Sequence, residues 1–311
     1  MGKLRDNLNL LFSNLLFGAN FSIYVSLLRN YFDYRQLFLL QAGVAALFFI
    51  PFVLMPPRAP RLRWRDAVNI VIVTVLIVYG WMYMMLWGAA YTNPIDASIL
   101  TTLGPVFTLM LAVALHREPV SWIRITGIAV ALAGVGVLLF KRGFHLVEGS
   151  EGWGNALVLV SVLAIASNTV LVKPQLQRFG TLRVMGWCYV IGAAITFPFF
   201  PKIDLDHLYT LPPGALAETA ILLIFGTVLP MYLLYRGTER LTPVHTALYR
   251  YIQPLVATAL ALARHQEVVD QIHLAAGGAI FGGVLLMIYG TVRAHRRPKR
   301  MRKKGPDAGA V

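Results

Sequence analysis

Apolar residues are concentrated in long runs along this chain. Each run is near the length of about 20 residues with which an α-helix crosses about 30 Å of hydrocarbon, and short segments rich in Arg, Pro and Gly separate the runs. Only 14% of the 311 residues are charged, and the mean hydropathy is +0.64. A water-soluble domain carries more charge, because its surface must be solvated. The predicted fold class is therefore an all-α integral membrane protein.

We predict ten transmembrane helices from these runs. Their approximate ranges are 8–28, 35–55, 67–87, 94–115, 121–140, 153–173, 182–201, 214–236, 243–264 and 272–292. Only residues 90–93 separate the third run from the fourth; Asn93 suits a helix cap and Pro94 suits a first helical turn, so these runs are counted separately. The first run is too long for a signal peptide and is counted as a span.

The distribution of basic residues predicts the orientation. With the N-terminus in the cytoplasm, 21 Lys and Arg residues at span ends and in connections lie on the cytoplasmic side, and six lie outside. Basic residues favour the cytoplasmic side, and the bias persists along all ten spans. We therefore predict that both termini lie in the cytoplasm. The predicted location of this multi-pass protein is a bacterial inner (plasma) membrane.

The net charge of +14 does not indicate a nucleic-acid partner. The basic residues lie in short connections and in the tail between Arg293 and Lys304, where membrane orientation accounts for them. A basic tail beside a bilayer is expected to meet anionic headgroups, so the predicted partners are membrane lipids and no nucleic acid.

The chain contains an internal repeat. Shifting the sequence by 149 positions aligns residues 88–140 with 237–289 without a gap. The identical residues include Gly88, Pro94, Pro105, His116, Glu118 and Gly134, which meet Gly237, Pro243, Pro254, His265, Glu267 and Gly283. Earlier spans match less closely, with Asn20 against Asn168. The predicted domains are a first repeat at 1–145, a second repeat at 150–292 and a basic cytoplasmic tail at 293–311.

An odd number of spans in each repeat makes the two copies inverted. The second copy of a five-span unit enters the membrane from the opposite face, which relates the halves by a two-fold axis in the membrane plane. Two inverted copies can exchange shapes at nearly equal energy, as alternating access requires. This architecture predicts a transporter; the alternative is an inverted duplication in a non-transporting scaffold or an enzyme.

Several short motifs resemble one family of membrane proteins. Residues 18–21 (Gly-Ala-Asn-Phe) resemble a first-span signature, residues 103–106 (Leu-Gly-Pro-Val) resemble a fourth span, and residues 252–255 (Ile-Gln-Pro-Leu) repeat it. Arg117-Glu118 and the glycines at 127–136 follow the first copy, as Glu267 and the glycines at 277–283 follow the second. In order and duplication, these motifs resemble the EamA-type transporters of the drug/metabolite transporter superfamily.

The resemblance implies export of amino acids, other metabolites or drugs without ATP hydrolysis. It also implies a central cavity lined by the first four spans of each half, with the fifth spans peripheral and available for contact in a homodimer. Gln41 stands near a position where many members carry Arg, and Gln253 stands where a Glu often precedes the proline. Both differences remove a titratable group and argue against carboxylate-based proton coupling at those positions.

Eight side chains are predicted to bind substrate, because polar and aromatic groups inside a membrane need partners and can mark a site. They are Asn20, Gln41, Tyr79, Tyr83, Asn168, Tyr249, Arg250 and Gln253. Asn20 and Asn168 lie at matching depths in the two repeats. They fit either a symmetric pair of cavity groups or interhelical hydrogen bonds, which are worth about 0.6 kcal/mol on average.

Arg250 lies inside the ninth predicted span, and two interpretations are open. A guanidinium can hold a substrate carboxylate or phosphate through two hydrogen bonds. Alternatively, the N-terminal lean of helical side chains lets the charge snorkel to the headgroups, and this interpretation is the one that we favour from the sequence. Pro254 and the matching Pro105 each remove a backbone hydrogen bond, which predicts matched helix breaks beside a site between the repeats.

Three of the predicted site residues are tyrosines. At their predicted depth, Tyr79, Tyr83 and Tyr249 can line a cavity for apolar, aromatic or cationic substrates. The alternative is that they pack between helices or belong to the aromatic belt of the interface.

The sequence lacks the motifs of ATP-driven and cofactor-dependent proteins. It has no Walker loop, no His-Glu-x-x-His, no Cys-x-x-Cys and no glycine-rich dinucleotide motif, so we predict no cofactor and no metal site. No carboxylate lies at mid-depth, which favours facilitated or weakly proton-linked movement. We predict a secondary transporter that exports a small metabolite, such as an amino acid or a related amphipathic compound, and not an enzyme. The alternative is a membrane-embedded enzyme acting on a lipid or prenyl substrate, which would need paired carboxylates or a His cluster.

Overall fold

Every regular element in the described part of the chain is helical. The computed structural model describes residues 2–54, 62–92, 94–116, 122–140, 149–198, 205–264 and 271–296, and no strand occurs within these ranges. The all-α class predicted from the sequence is therefore confirmed for these residues. The predicted cap at Asn93 and the loop residues Glu118 and Glu267 lie outside them.

Ten helical rods follow one another in these ranges. In chain order they are α1 (Gly2–Asn30), α2 (Tyr34–Leu54), α3 (Trp64–Ala89), α4 (Pro94–Thr101 and Gly104–His116), α5 (Trp122–Phe140), α6 (Glu151–Leu171), α7 (Thr181–Thr196), α8 (Pro213–Arg240), α9 (Pro243–Leu248, Tyr249–Tyr251 and Ile252–Ala263) and α10 (Gln271–Arg296). Two short helices, Lys173–Phe179 and Leu205–Thr210, precede and follow α7. The helices at the third and fourth predicted spans are separate, because α3 ends at Ala89 and α4 begins at Pro94.

Length and composition support fewer spans than were predicted. Within the described residues, five helices are long and apolar enough to cross a membrane; they lie in α1, α2, α3, α6 and α8. The bent pair formed by Lys173–Phe179 and α7, with an angle of 117°, makes up to six. Shorter apolar helices at Ile95–Leu111, Trp122–Gly134 and Leu274–Met287 fall in α4, α5 and α10.

Large apolar side chains remain exposed on the outer faces of several helices. Leu47 on α2 is 69% exposed, Leu255 on α9 is 67% exposed and Leu285 on α10 is 65% exposed. Extensive apolar exposure of this kind marks a surface that meets lipid or another protein rather than water. The faces fit a membrane environment.

The predicted helix breaks in α4 and α9 occur at equivalent positions of the repeat. In α4, the N–H groups of Thr102 and Leu103 donate to the carbonyls of Ile99 and Leu100, three residues back, before the helix resumes at Gly104. In α9, the 3₁₀ turn Tyr249–Tyr251 lies 149 positions further on. Pro105 and Pro254 follow the two breaks and cannot donate the backbone hydrogen bond that a continuous helix needs there.

Glycines in the third helix of each repeat allow close contact with the first helix of the other repeat. A Cβ on Gly88 would lie 2.7 Å from the Gly154 carbonyl oxygen, and a Cβ on Gly237 would lie 2.5 Å from the Leu10 side chain and 3.1 Å from the Asp6 carbonyl oxygen. Gly88 and Gly237 are repeat equivalents, as are Asp6 and Gly154, which stand 148 positions apart. The α3–α6 and α8–α1 contacts are therefore equivalent.

The fifth helix of each repeat packs on its counterpart. A Cβ on Gly127 would lie 2.5 Å from the Gly283 carbonyl oxygen, and one on Gly134 would lie 2.8 Å from the Ala276 carbonyl oxygen. Gly127 and Gly134 are the repeat equivalents of Ala276 and Gly283, so the two contacts are equivalent to each other. Close packing of the two helices explains these glycines. It does not explain Gly282, whose Cβ would meet no described atom within 4 Å.

Candidate functional site

A cavity lies where the two repeats meet. Its empty volume is about 490 Å³, which includes space open to the surroundings. Its walls are Asn14, Phe17, Phe21 and Tyr24 of α1, Trp81 and Met85 of α3, Thr101 of α4, Val162 and Ile165 of α6, Leu234 of α8, and Arg250 and Gln253 of α9. Small-molecule sites have this character, with mainly apolar and aromatic walls and a few polar groups.

Eight of the twelve described lining residues form repeat-equivalent pairs, among them Asn14 with Val162. Met85 and Leu234 stand 149 positions apart, as do Thr101 and Arg250. On α1 and α6, Phe17 pairs with Ile165 at a shift of 148 positions. A cavity bounded by such pairs lies on the pseudo-two-fold axis between the repeats.

Polar groups are concentrated on the wall formed by α1 and α9. The Asn14 amide donates to the Leu10 carbonyl at 2.7 Å, and the Gln253 amide donates to Asn14 Oδ1 at 2.7 Å. The repeat equivalents of Asn14 and Gln253 are Val162 and Gly104, which have no polar side-chain atoms. The α1–α9 wall therefore carries most of the polar side chains of the cavity, while Thr101 of α4 lies on the other wall.

Arg250 lies in the cavity wall with only 5% of its surface exposed. Its Nη2 donates to Thr169 Oγ1 at 3.5 Å, and its Nε has no hydrogen-bond partner within the described residues. A Cβ on Gly104 would lie 2.7 Å from Arg250 Cδ, so the missing side chain of Gly104 makes room for the arginine. The Arg250 side chain is therefore buried against α4, and both interpretations of its role stay predictions.

Asn20 and Asn168 hold helices of the two repeats together. Asn20 Nδ2 donates to the Phe225 carbonyl at 3.1 Å, and Asn168 Nδ2 donates to the Val73 carbonyl at 3.0 Å. Phe225 lies in a π-helical stretch of α8, Leu222–Val228, and Val73 lies just before the one in α3, Val75–Tyr83. Interhelical hydrogen bonds were one of the two roles that the sequence allowed for this pair, and both asparagines form them. Neither asparagine is among the lining residues of the cavity.

The remaining candidates lie around the cavity rather than in it. The Tyr79 hydroxyl donates to the Gly192 carbonyl of α7 at 2.9 Å. The Tyr83 ring packs 5.0 Å from the Phe38 ring of α2.

Tyr249 and Gln41 also lie outside the lining. The Tyr249 hydroxyl donates to Asn7 Oδ1 at 3.0 Å. Gln41 donates to Tyr24, a lining residue, at 3.4 Å. Of the eight candidates, the structure therefore places only Arg250 and Gln253 in the cavity wall, and a substrate contact for the others stays a prediction.

Sequence reasoning expected the first span in the lining but missed the four α1 side chains that form its wall. Asn14, Phe17, Phe21 and Tyr24 are spaced by three or four residues, which puts them on one helical face. This helical spacing is the sequence signal that could have identified α1 as part of the cavity wall. The repeat gives no second signal for Asn14, because its equivalent position holds Val162.

A family profile matches both halves of the chain. The profile of the EamA-like transporter family matches residues 7–140 and again residues 152–289. The chain belongs to this family. The resemblance read from the motifs is thereby confirmed, and the repeated match agrees with the repeat that the helix breaks and glycine contacts reveal.

Similar proteins are transporters by name. The probable terminal-alkyne amino-acid exporter of Streptantibioticus cattleyicolor is 25% identical over 232 residues, which cover 75% of this chain and 76% of that protein. The uncharacterized inner membrane transporter YedA of Escherichia coli K12 is 25% identical over 293 residues, covering 88% and 91%. These relatives give no support to the alternative of a lipid-acting or prenyl-acting enzyme.

The fold is shared with a solved structure. A crystal structure with 19% sequence identity superposes with a TM-score of 0.61 and covers 92% of this EamA-family chain and 97% of its own. At that identity the likeness concerns the fold alone.

Proposed function

We propose that this EamA-family protein is a secondary transporter that exports a small amphipathic metabolite, an amino acid or a related compound, across a bacterial inner membrane. The observation that carries the proposal is the cavity between the repeats, because eight of its twelve described lining residues form repeat-equivalent pairs. A site in that position can open to one face and then to the other by equivalent motions of the two halves.

The proposed topology has ten transmembrane helices, α1 to α10, with both termini in the cytoplasm. Helical segments at all ten predicted ranges support this count, and the excess of Lys and Arg on one side supports the orientation. The repeats are residues 1–145 and 150–292. The basic tail at 293–311 then lies beside anionic headgroups.

The breaks in α4 and α9 are the proposed hinges. Thr101 ends the first segment of α4 and Arg250 lies in the 3₁₀ turn of α9, so both breaks occur where the helices line the cavity. Segments on either side of a break can tilt separately, because the continuous α-helical hydrogen-bond pattern is interrupted there. The two access states need to differ by only a few kcal/mol.

The proposed movement is facilitated or only weakly linked to protons. No side chain among the described lining residues is a carboxylate, which removes the simplest proton carrier from the cavity. The name of the Streptantibioticus cattleyicolor relative, an amino-acid exporter, supports both the substrate class and the direction of transport.

Uptake into proteoliposomes tests the proposal. Wild-type protein is expected to give saturable uptake of at least one labelled compound from a panel of amino acids and amphipathic metabolites. Leu234→Trp fills the cavity and should abolish that uptake. The control Leu285→Trp adds the same ring on an outer face and should leave it unchanged.

The outcomes separate the function from its energy coupling. If folded wild-type protein moves no compound of the panel, or if Leu234→Trp transports normally, the cavity is not a transport path. A rate that requires a proton gradient would keep the transporter and overturn the facilitated mechanism.

A further inference from the structure

We infer that the cavity selects monocarboxylates with an apolar body, that the carboxylate binds at Arg250, and that an amino group on the substrate is dispensable. The inference rests on the proposed function, because it assigns the substrate class of the same cavity. Charge, apolar surface and the distribution of polar groups each support one part of it.

The buried positive charge of Arg250 favours binding of an anionic substrate. The residue is 95% buried, its Nε has no partner among the described residues, and no described carboxylate lies within ion-pair distance of it. A buried cation without a counter-charge is costly, and a substrate anion in the cavity removes that cost. The guanidinium can hold a carboxylate through two parallel hydrogen bonds.

One cation favours a monoanion over a phosphate. Arg250 is the only basic residue among the described lining residues, so one carboxylate makes the occupied cavity neutral. A phosphate would leave about one excess negative charge in an apolar surrounding. Gln253 and Asn14 add neutral amides on the same wall, and these can orient the carboxylate but not balance a second charge.

The rest of the cavity suits an apolar body. Opposite the polar wall lie Val162 and Ile165 of α6, and Trp81 and Met85 of α3 complete the surface with Phe17. The rings of Phe17 and Trp81 pack edge to face at 5.5 Å between centroids, which gives a firm aromatic surface. A ligand with its carboxylate on Arg250 would bury its hydrocarbon part against these side chains.

An ammonium group has no charged partner in this cavity. None of the described lining residues is acidic, so an amino acid would lose water from its ammonium group without gaining an ion pair. Neutral oxygens and the face of Trp81 are the acceptors that remain. The carboxylate should therefore contribute much more to affinity than the ammonium group.

Four compounds with one isobutyl body separate these contributions. They are 4-methylpentanoate, leucine, 4-methylpentanamide and leucinamide, which combine the presence or absence of a carboxylate with that of an ammonium group. Dissociation constants are measured by calorimetry on purified protein in detergent, and a series with a phenyl body repeats the test for a larger substituent. Removing the carboxylate should weaken binding at least about tenfold, and removing the ammonium group should change it less than about threefold.

Variants locate the effect at Arg250. Arg250→Gln should reduce the preference for a carboxylate to less than about threefold while 4-methylpentanamide binds as before. Gly104→Ala places a methyl group against Arg250 Cδ and should reduce the same preference in part, which provides a second reading if Arg250→Gln does not fold. The control Arg264→Gln removes an arginine paired with Glu218 outside the cavity and should keep the wild-type pattern.

Four binding outcomes would overturn the inference. It fails if leucinamide binds as well as 4-methylpentanoate, if leucine binds about tenfold more tightly than 4-methylpentanoate, if the preference survives in both cavity variants, or if folded wild-type protein binds none of the compounds. Carboxylate binding without any transport would reject the proposed function and leave this inference intact. Transport of neutral or cationic compounds that is unaffected by Arg250→Gln would reject this inference and leave the proposed function intact.

Discussion

The two walls of the cavity occupy equivalent positions in the repeat and differ in chemistry. The α1–α9 wall presents Asn14, Arg250 and Gln253, and the same positions of the α6–α4 wall present Val162, Thr101 and Gly104. Several backbone features around the cavity are shared by both halves. The helix breaks in α4 and α9, the π-helical stretches in α3 and α8 and the glycine contacts between repeats all recur.

This contrast separates what movement requires from what recognition requires. Exchange between two access states depends on matched breaks and contacts, so these features are kept in both halves. Recognition needs a charge only once, and a second arginine on the opposite wall would repel the first at short range. A substrate held by one wall would keep one orientation while access alternates around it.

The largest effect on transport is expected from a substitution that gives both cavity walls the same residue at the position of Arg250. Arg250→Thr installs the residue of the equivalent position, Thr101. Transport of a carboxylate substrate should fall on the order of 10- to 100-fold, because a charge-assisted hydrogen-bond pair is lost. The midpoint of thermal unfolding should stay the same or rise, because a buried cation without a counter-charge is removed.

Initial rates in proteoliposomes and unfolding of the purified variant check both parts. Full transport by the variant would remove Arg250 from recognition. A large fall in the unfolding midpoint together with lost transport would make it a structural residue instead.

The glycine contacts test how equal the two repeats are in packing. Gly88→Ala should destabilise the protein by about 1–3 kcal/mol, because its Cβ would meet main-chain atoms of α6 that cannot move aside. Gly237→Ala should cost less, because its Cβ first meets the flexible Leu10 side chain. Unfolding midpoints measured in the same detergent give the comparison, and a greater loss for Gly237→Ala would contradict it.

A smaller effect is expected from Asn14→Val, which copies Val162. The change removes the acceptor of the Gln253 amide without touching Arg250. Carboxylate affinity should fall about three- to tenfold, since one hydrogen bond that orients the polar wall is lost. Unchanged affinity would show that Gln253 needs no support from α1, and Val162→Ala serves as the control for altered packing on the opposite wall.

The sequence was sufficient for features that depend on neighbours along the chain. Run length and hydropathy placed the helices, and Pro105 and Pro254 placed the breaks, because a proline acts on its own helix wherever that helix lies. Family membership followed from the same kind of local motif. The cavity wall depends instead on how each helix is rotated, which no local rule determines.

Asn14 and Asn20 show this limit on one helix. Both are amides in the apolar run of α1, but six residues rotate a helical side chain by about 240°. Asn14 therefore faces the cavity, and Asn20 faces α8. Arg250 shows the same limit for contacts between helices. The space for its side chain depends on Gly104 of α4, which is far from it in sequence.

The smallest expected effect concerns the asparagine pair, where the two repeats are most alike. Asn20→Ala should cost about 0.6 kcal/mol, the average for an interhelical hydrogen bond in a membrane protein. Asn168→Ala should cost more, because Asn168 also accepts a bond from the Tyr235 hydroxyl at 2.7 Å, and that buried hydroxyl would lose its partner. Unfolding midpoints of Asn168→Ala, Tyr235→Phe and the double variant isolate this second bond. If the Asn168→Ala loss equals that of Asn20→Ala and the double variant is additive, the Tyr235 bond contributes nothing, and the two repeats are energetically equal at this pair.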